Sequence, residues 1–519
     1  MVVLKSGAEK LEPNVTGTEF LEGILSVLES IKLENEVDSE LSKLICTLKN
    51  VSDELKFIDS SIIGKPLSRY KLIEDHLKKL GIGYESKYLY QCDMIKPLEN
   101  NCLSKTIVDD VFEGIKFLNK ITLSTDNVNL AKFITNFIER YEDQEVLLIE
   151  ALDGETGIGY NQSSGDTSDY TPLIENIVYN QKQTNFIDIR INLVQALLYK
   201  KLIEALKEHK TEIELTSDDV KDFNEKWDDL PNTMSVMFQK LDKKLYISSV
   251  GGSSAANLLG RFCHSSVEIH NFCCEITQKE KELNYDAINA EIVHLPESRT
   301  GNILMRTNLR EYEIPYLAKS SVSFDCQIRL DDLMISIRNH KINLRSLKLN
   351  KEIIPHLTNA HNYTYNSLPI YNFLADIQNQ GKRQGLYFNW GQIANEHIFL
   401  PRILFKNLIF SLARWIVIKQ EVEPMLLIIS DGELINAVNN WRISRGIPTM
   451  VSLSDGDNFL YINLEIPLMV RTLFSTVKNR NSFILEEFIS NSKYSMIRSD
   501  EGDFNNQFIL CFYKEVLTK

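Results

Sequence analysis

The segment LMISIRNHKINLRS, residues 333–346, alternates apolar and polar side chains on either side of Asn339 and His340. Alternation with a period of two is typical of a strand that buries one face, and an asparagine-containing pair between two such runs predicts a hairpin turn. Residues 243–250 (KKLYISSV) alternate in the same way, and residues 447–466 (IPTMVSLSDGDNFLYINLEI) predict a second hairpin that turns at residues 455–458. These segments predict antiparallel sheet from Lys243 onward.

The chain before Lys243 has helical spacing instead. Apolar residues recur every three or four positions between residues 21 and 55, and the same spacing predicts helices at residues 107–121, 127–141 and 188–209. A further helix is expected in the segment LTSDDVKDF, with Thr216 as its N-cap and Asp219 three positions later.

The two patterns together indicate the fold class. Helical spacing returns at residues 404–416 and 473–492, whereas residues 153–172 form a polar, glycine-rich tract typical of a loop. We therefore predict an α+β fold, with a helical front third followed by mixed, largely antiparallel sheet segments with helices. We expect a mainly helical part over residues 1–150 and a mixed α/β part over residues 151–519.

Composition narrows the class of protein. The 519 residues are 43% hydrophobic and 25% charged, with a formal net charge of −14, which predicts a globular chain with more than one core. The eight cysteines form no CxxC pair, and neither a signal peptide nor a transmembrane segment is recognised, so a reduced, cytoplasmic protein is expected. Common motifs for nucleotides, catalytic metals or serine hydrolases are absent from the sequence.

A basic segment stands out in this acidic chain. Residues 299–351 carry ten arginines and lysines against five acidic residues, with Tyr312 and Tyr316 among them. Guanidinium groups suit phosphates and aromatic rings stack on exposed bases, so a folded RNA or another polyanion is one candidate ligand. Charges that keep the edges of a sheet soluble are the alternative.

A second candidate is the segment SSVGGSSAANLLGRF, residues 248–262. It predicts a strand, a turn of small residues from Gly251 to Ala256, and then a helix that carries Arg261. The start of such a helix can hold an anion, although a simple tight turn between two elements explains the same residues. For His294, His356 and His361, which lack ligand spacing, a structural role with satisfied polar partners is expected.

Several of these segments, in this order along the chain, resemble the class I lantibiotic dehydratases of the LanB type. The resemblance rests on residues 137–160, 251–262, 290–321, 330–378, 399–415 and 457–468, and it extends from about Tyr88 onward. It implies a glutamylation domain, in which glutamate from glutamyl-tRNA is esterified onto Ser or Thr hydroxyls of a ribosomally made precursor peptide. Glutamyl-tRNA would be the co-substrate, and no cofactor or metal is implied.

The resemblance also implies roles for individual residues. Asp93 in LYQCDMIKP and Arg261 in LLGRF match residues that serve glutamylation in the family, although a turn role for Asp93 and an internal ion pair for Arg261 remain alternatives. A tRNA ligand would explain the basic segment, so we expect its arginines to bind tRNA phosphates: Arg299, Arg306, Arg310 and Arg345.

This chain departs from the family pattern in length. Compared with full-length family members it is expected to lack the front part of the glutamylation domain and the domain that eliminates glutamate. A partner protein is therefore expected to supply the missing parts. A non-catalytic remnant that binds tRNA or a partner, or a related peptide ligase that uses aminoacyl-tRNA, are the alternatives.

Overall fold

The structure is a computed structural model in which 14 stretches of the chain are described. They are residues 20–34, 39–60, 67–81, 89, 102–124, 127–160, 190–264, 266–294, 307–364, 367–456, 458–489, 497–499, 502–504 and 507–515. Three of the predicted site residues fall in these stretches: Arg261, Arg310 and Arg345.

Helices dominate the first third of the described chain, as predicted. Their bounds are α1 Phe20–Glu34, α2 Ser39–Asp59, α3 Leu67–Lys78, α4 Lys105–Ile121, α5 Val128–Tyr141, α6 Leu148–Ala151, α7 Leu193–Lys207, α8 Val267–Leu283, α9 Pro369–Ile377, α10 Lys419–Leu426, α11 Asp431–Ser444 and α12 Pro467–Val477. Asparagine caps begin two of them: Asn127 accepts hydrogen bonds from two backbone amides of α5, and Asn192 forms a capping box with Gln195 at α7. None of the described helices is both long and apolar enough to cross a bilayer.

The strands follow in the later part of the chain. Their bounds are β1 Val146–Leu147, β2 Glu212–Leu215, β3 Thr233–Leu241, β4 Lys244–Gly251, β5 Ile288–Val293, β6 Tyr312–Pro315, β7 Leu333–Arg338, β8 Lys341–Ser346, β9 Lys351–His356, β10 Phe399–Leu400, β11 Arg402–Phe405, β12 Leu408–Ser411, β13 Arg414–Ile418, β14 Met450–Asp455, β15 Asn458–Asn463, β16 Ser482–Glu487, β17 Ile497–Ser499, β18 Gly502–Phe504 and β19 Phe508–Tyr513. Both predicted hairpins are confirmed. Asn339 and His340 have φ of 51° and 56°, which suits the tight turn between β7 and β8.

Three large sheets organise the described chain. Sheet I has the strand order β19-β3-β4-β12-β11-β2, sheet II the order β1-β7-β8-β9-β5-β6, and sheet III the order β10-β13-β16-β14-β15. Among the described neighbours, parallel pairing is limited to β2 with β11, β4 with β12, and β5 with β6 and β9. The predicted α+β class with largely antiparallel sheet is therefore confirmed.

Each large sheet has its own hydrophobic core. Helices α4 and α7 pack on sheet I, helices α5, α6 and α9 on sheet II, and helices α10, α11 and α12 on sheet III. Gly114 allows the close approach of α4, since a Cβ there would lie 2.6 Å from Leu408 Cδ1 of β12. The division of the chain near residue 150 stays a prediction.

Three sequence-based assignments of helix outside the candidate site were wrong. Residues 404–416 form β11, β12 and β13, because Lys406 adopts a φ of 54° and turns the apolar run back on itself. The helix predicted at residues 473–492 begins at Pro467 and ends at Val477, and β16 follows it. The segment after Thr216 forms a single 3₁₀ turn, although Thr216 N and Oγ1 do donate to Asp219 Oδ2 at 2.7 and 2.8 Å.

Candidate functional site

The turn that follows β4 depends on two glycines. Gly251 and Gly252 have φ of 142° and 102°, a region that side chains with a Cβ rarely adopt. A Cβ on Gly251 would lie 2.3 Å from the carbonyl oxygen of Gln384. Gly252 N donates to that same oxygen at 2.9 Å, and Leu386 N donates to Val250 O at 2.9 Å. The glycines thus bring β4 directly against the segment at residues 384–386.

A polar cavity of about 230 Å³ opens beside this turn, between sheets I and II. Its volume is a little below the roughly 300 Å³ at which sites for drug-sized ligands begin, so it suits a small polar group. The lining comes from sheet I with the turn after β4 and from the chain that follows β9 and α9, and it includes Gly252, Ser253, Asn257, Asn359, His361 and Gln384. We refer to it as the polar cavity.

Hydrogen bonds of Asn257 stabilise the wall of the polar cavity. In the amide orientation that satisfies both of its ends, it donates to the carbonyls of Ser254 at 3.2 Å and Leu357 at 3.3 Å. Its oxygen then accepts from Ser253 Oγ at 3.0 Å. The turn after β4 is therefore held to the chain that leaves β9, and the cavity wall is preorganised.

Arg261 lies at the end of the same turn. The predicted helix around it is wrong: residues 260–262 form one 3₁₀ turn, because the chain packs tightly against Thr358 and leaves no room for a longer helix. A Cβ on Gly260 would lie 2.6 Å from Thr358 O. The half-buried guanidinium of Arg261 lies 4.7 Å from the centre of the Phe262 ring, a cation–π contact. Arg261 is near the polar cavity in sequence but is not among the residues that line it.

Arg310 is not the surface arginine that the basic segment predicted. Only 6% of the residue is exposed, and its guanidinium donates to Glu280 at 2.6 Å and to Glu291 at 3.1 Å. Two buried carboxylates compensate one buried cation, which is the arrangement a buried charge requires. As a binder of tRNA phosphates Arg310 is therefore rejected: its charge is already engaged inside the protein.

The buried charges reach the turn through two threonines. Thr233 Oγ1 donates to Glu280 at 2.5 Å and accepts from the backbone N–H of Ala255 at 2.9 Å. On the other side, Thr358 donates to Glu291 through its backbone N–H at 2.7 Å and its hydroxyl at 2.6 Å. We call Arg310 with these two glutamates and two threonines the Arg310 network.

The Arg310 network supports the turn from both ends. One branch holds Ala255 within the turn, and the other holds Thr358, against which Gly260 and hence Arg261 pack. Nearby, His356 is fully buried with Nε2 2.8 Å from Asn289 Oδ1. Its burial, with a smaller effect of Arg310, holds the pKa of His356 well below its usual range, so the imidazole is neutral.

The other two histidines singled out in the sequence, His294 and His361, also have polar partners. His294 Nδ1 lies 2.8 Å from Tyr316 O, and burial lowers the pKa of His294. His361 Nδ1 lies 3.0 Å from the hydroxyl of Tyr371, and this ring lines the polar cavity. His361 is thus the one of the three that faces the candidate site.

Arg345 lies on β8 of sheet II and remains partly exposed. Its guanidinium makes a two-pronged ion pair with Glu145, at 2.8 and 2.5 Å, and contacts Asn350 Oδ1 at 2.9 Å. Hydrogen bonds from Arg345 are the main cause of a lowered pKa of Glu145. Its role in binding tRNA stays a prediction. Asp93, Arg299 and Arg306 lie outside the described residues.

Sequence reasoning missed the segment GKRQG at residues 381–385. Its Arg383 is buried and donates to Asp229 at 3.0 Å and to the carbonyls of Asn119 and Thr122 at 3.0 and 2.8 Å. It therefore fixes Gln384 against the glycine turn. Two glycines bracketing a run of polar and basic residues were the signal for this close approach of backbone.

Comparisons with known proteins extend this description. Residues 8–473 match the family described as "Lantibiotic dehydratase, N terminus". Nisin biosynthesis protein NisB of Lactococcus lactis subsp. lactis is 25% identical over 477 residues, which cover 87% of this chain and 44% of NisB. Subtilin biosynthesis protein SpaB of Bacillus subtilis is 24% identical over 410 residues, which cover 74% of this chain and 37% of SpaB. The chain spans less than half the length of these relatives.

Solved structures show the same fold. The tRNA-dependent lantibiotic dehydratase MibB from Microbispora sp. 107891 superposes with a TM-score of 0.73 at 17% identity, over 92% of this chain and 46% of MibB. The glutamylation domain of TbtB, from thiomuracin biosynthesis, gives a TM-score of 0.54 at 14% identity, over 94% of this chain and 63% of TbtB. Since the family match spans most of its length, this chain belongs to the lantibiotic dehydratase N-terminal family.

Proposed function

We propose that this chain transfers glutamate from glutamyl-tRNA to Ser or Thr hydroxyls of a ribosomally made precursor peptide, as a step of lanthipeptide dehydration. The observation that carries the proposal is the family match over residues 8–473. The fold of MibB, described as tRNA-dependent, supports it, as does the glutamylation domain of TbtB.

The proposed reaction is an ester exchange. The oxygen of a peptide hydroxyl attacks the carbonyl carbon of the glutamyl ester, and a new ester bond forms. The bond to the ribose oxygen of the tRNA breaks, and the hydroxyl proton passes to that oxygen. Because the glutamyl group arrives already activated, the protein must mainly align the two reactants and stabilise an oxyanion. We propose that glutamyl-tRNA is the only co-substrate and that no metal or other cofactor is needed.

The polar cavity is our candidate for the glutamyl end of the tRNA. Its neutral and hydroxyl-bearing lining suits the amino and carboxyl groups of one amino acid, and its wall is held by Asn257. Arg261, on the turn that forms this wall, supplies the cation nearest in sequence, and the Arg310 network keeps the turn in place. For Asp93 the proposed part in glutamylation rests on the family resemblance.

Partners follow from the same proposal. The chain covers 44% of NisB, and the partner we propose is a protein that eliminates glutamate from the modified peptide. The precursor peptide is the acceptor substrate, and the place of action is the cytoplasm, where charged tRNA is available.

The test is intact-mass spectrometry of the precursor peptide after incubation with glutamyl-tRNA and this chain, with and without the proposed partner protein that eliminates glutamate. We expect the peptide to gain glutamyl units, and Arg261→Ala to abolish the gain while Arg471→Ala, at an exposed ion pair of α12 outside the basic segment, leaves it unchanged. An unmodified peptide in every combination, with tRNA still bound, would support a non-catalytic tRNA-binding protein instead.

A further inference from the structure

Two lysines share one carbonyl oxygen beside the segment at residues 381–385. Lys382 Nζ donates to Asp228 O at 3.2 Å, and Lys514 Nζ donates to the same oxygen at 3.3 Å. Lys514 Nζ also donates to Leu230 O at 2.6 Å. Two ammonium groups are therefore held next to each other across a single peptide carbonyl, although like charges repel.

A third lysine adds to this positive charge. A Cβ on Gly381 would lie 3.7 Å from Lys341 Nζ, so Lys341 runs alongside the residue before Lys382. We call Lys341, Lys382 and Lys514 the lysine cluster. Within the described part of the chain none of the three makes a salt bridge, and the carboxylate of Asp229 is engaged by the buried Arg383.

Lys382 and Lys514 are partly buried, which makes their charge costly, whereas Lys341 is exposed. Burial, followed by the charge of Lys382, lowers the pKa of Lys514 to about 8. Burial, followed by the charge of Lys341, lowers the pKa of Lys382 as well. An anion placed between these ammonium groups would relieve both their repulsion and their loss of water.

Position connects the lysine cluster to the polar cavity. Lys382 is two residues from Gln384, whose carbonyl binds Gly252 and whose residue lines the cavity. Between them, the guanidinium of Arg383 donates to five protein acceptors, so the two ends of this short segment keep a constant spacing. A ligand that enters the polar cavity and continues along this segment passes the lysine cluster.

We infer that the lysine cluster binds a backbone phosphate of a nucleic acid whose end occupies the polar cavity. Lysine ammonium groups act as compact point charges toward phosphates, and the three lysines exceed the two carboxylates, Asp228 and Asp229, whose charges act on them. The inference rests on the proposed function for the identity of the nucleic acid, a charged tRNA, but the anion site itself does not.

The first experiment measures acetylation of individual lysines by mass spectrometry, with tRNA, inorganic pyrophosphate or glutamate added to the protein. We expect tRNA and pyrophosphate to protect Lys382 and Lys514, glutamate to protect neither, and the exposed Lys478 of α12 to react equally throughout.

The second experiment measures the salt dependence of tRNA binding. Lys382→Gln should reduce the slope of log affinity against log salt by about 0.7–0.9, the value of one phosphate contact. Lys382→Arg keeps the charge and should retain the slope, and Lys478→Gln is the matched control. Thermal unfolding of each variant identifies any loss of affinity that comes from misfolding.

The outcomes separate this inference from the proposed function. If tRNA binds and the peptide is glutamylated while Lys382 and Lys514 stay unprotected, the inference is wrong and the proposed function stands. Protection by pyrophosphate without any binding of tRNA would overturn the nucleic acid as the source of the phosphate and the proposed function with it. Protection by glutamate alone would make the cluster a carboxylate site and overturn the inference.

Discussion

The Arg310 network and the lysine cluster differ in how their positive charge is balanced. Arg310 is buried and faces Glu280 and Glu291, so its charge is compensated inside the fold. In the described chain the lysine cluster has backbone carbonyls as its acceptors and no carboxylate ion pair. The comparison teaches that an excess of basic residues in a sequence does not locate a ligand, because the folded chain compensates some of these charges internally, as it does for Arg310.

The strongest test of the compensated cluster is Arg310→Met. This change leaves two buried carboxylates without their cation, and removal of one partner from a buried ionic cluster typically costs about 3–5 kcal/mol. We expect the free energy of unfolding in urea to fall by about that amount and glutamylation to be lost with it.

Two further variants control this prediction. Arg310→Met combined with Glu280→Gln and Glu291→Gln removes the uncompensated charges, so part of the lost stability should return. Arg329→Met, at an ion pair that is more than half exposed, should leave stability near wild type. Equal stability of Arg310→Met and Arg329→Met would show that the Arg310 network does not hold the turn.

Gly251→Ala tests the contact between the turn after β4 and the segment that carries Lys382 of the lysine cluster. Gly251 has a φ of 142°, and its added Cβ would meet Gln384 O at 2.3 Å, so the glycine turn and the segment of the lysine cluster must separate. Strained backbone of this kind costs about 1–3 kcal/mol. We expect this loss in urea unfolding and weaker binding of tRNA.

Gly432→Ala is the matched control, because Gly432 lies in α11 with no atom within 4 Å of the added Cβ. An alanine there should leave stability unchanged or raise it, as alanine favours helix. If Gly251→Ala were as stable as Gly432→Ala, the close approach at Gln384 would make no contribution to the free energy of unfolding.

Local sequence was sufficient for much of the fold. The hairpins at residues 333–346 and 450–463 were predicted because alternation and turn residues act over a few positions. The apolar run at residues 404–416 was assigned wrongly because both faces of β11 and β12 are buried, and a doubly buried strand has no alternation to distinguish it from a helix.

The candidate site was harder to predict, since its residues come from distant parts of the chain. Arg310 was chosen for its neighbours in sequence, but its partners Glu280 and Glu291 lie on α8 and β5. The lysine cluster joins residues 341, 382 and 514, a juxtaposition that only the packed sheets create. The small residues 251–256 predicted a turn, and the structure shows that Gly251 packs against Gln384 there.

The pH dependence of binding gives the smallest but most specific contrast between the clusters. Lys514 has a pKa of about 8, lowered by burial and by Lys382, and the charges of Asp228 and Asp229 oppose this shift. A bound phosphate favours the protonated amine and raises this pKa again, so binding above pH 8 takes up a proton and weakens as pH rises. One unit above its pKa only about a tenth of an amine is protonated, so we expect tRNA affinity to fall about tenfold from pH 7 to pH 9.

Lys514→Arg, which stays charged over this range, should lose the pH dependence while keeping the affinity measured at pH 7. An affinity of the wild-type chain that is equal at pH 7 and pH 9 would place the phosphate away from Lys514.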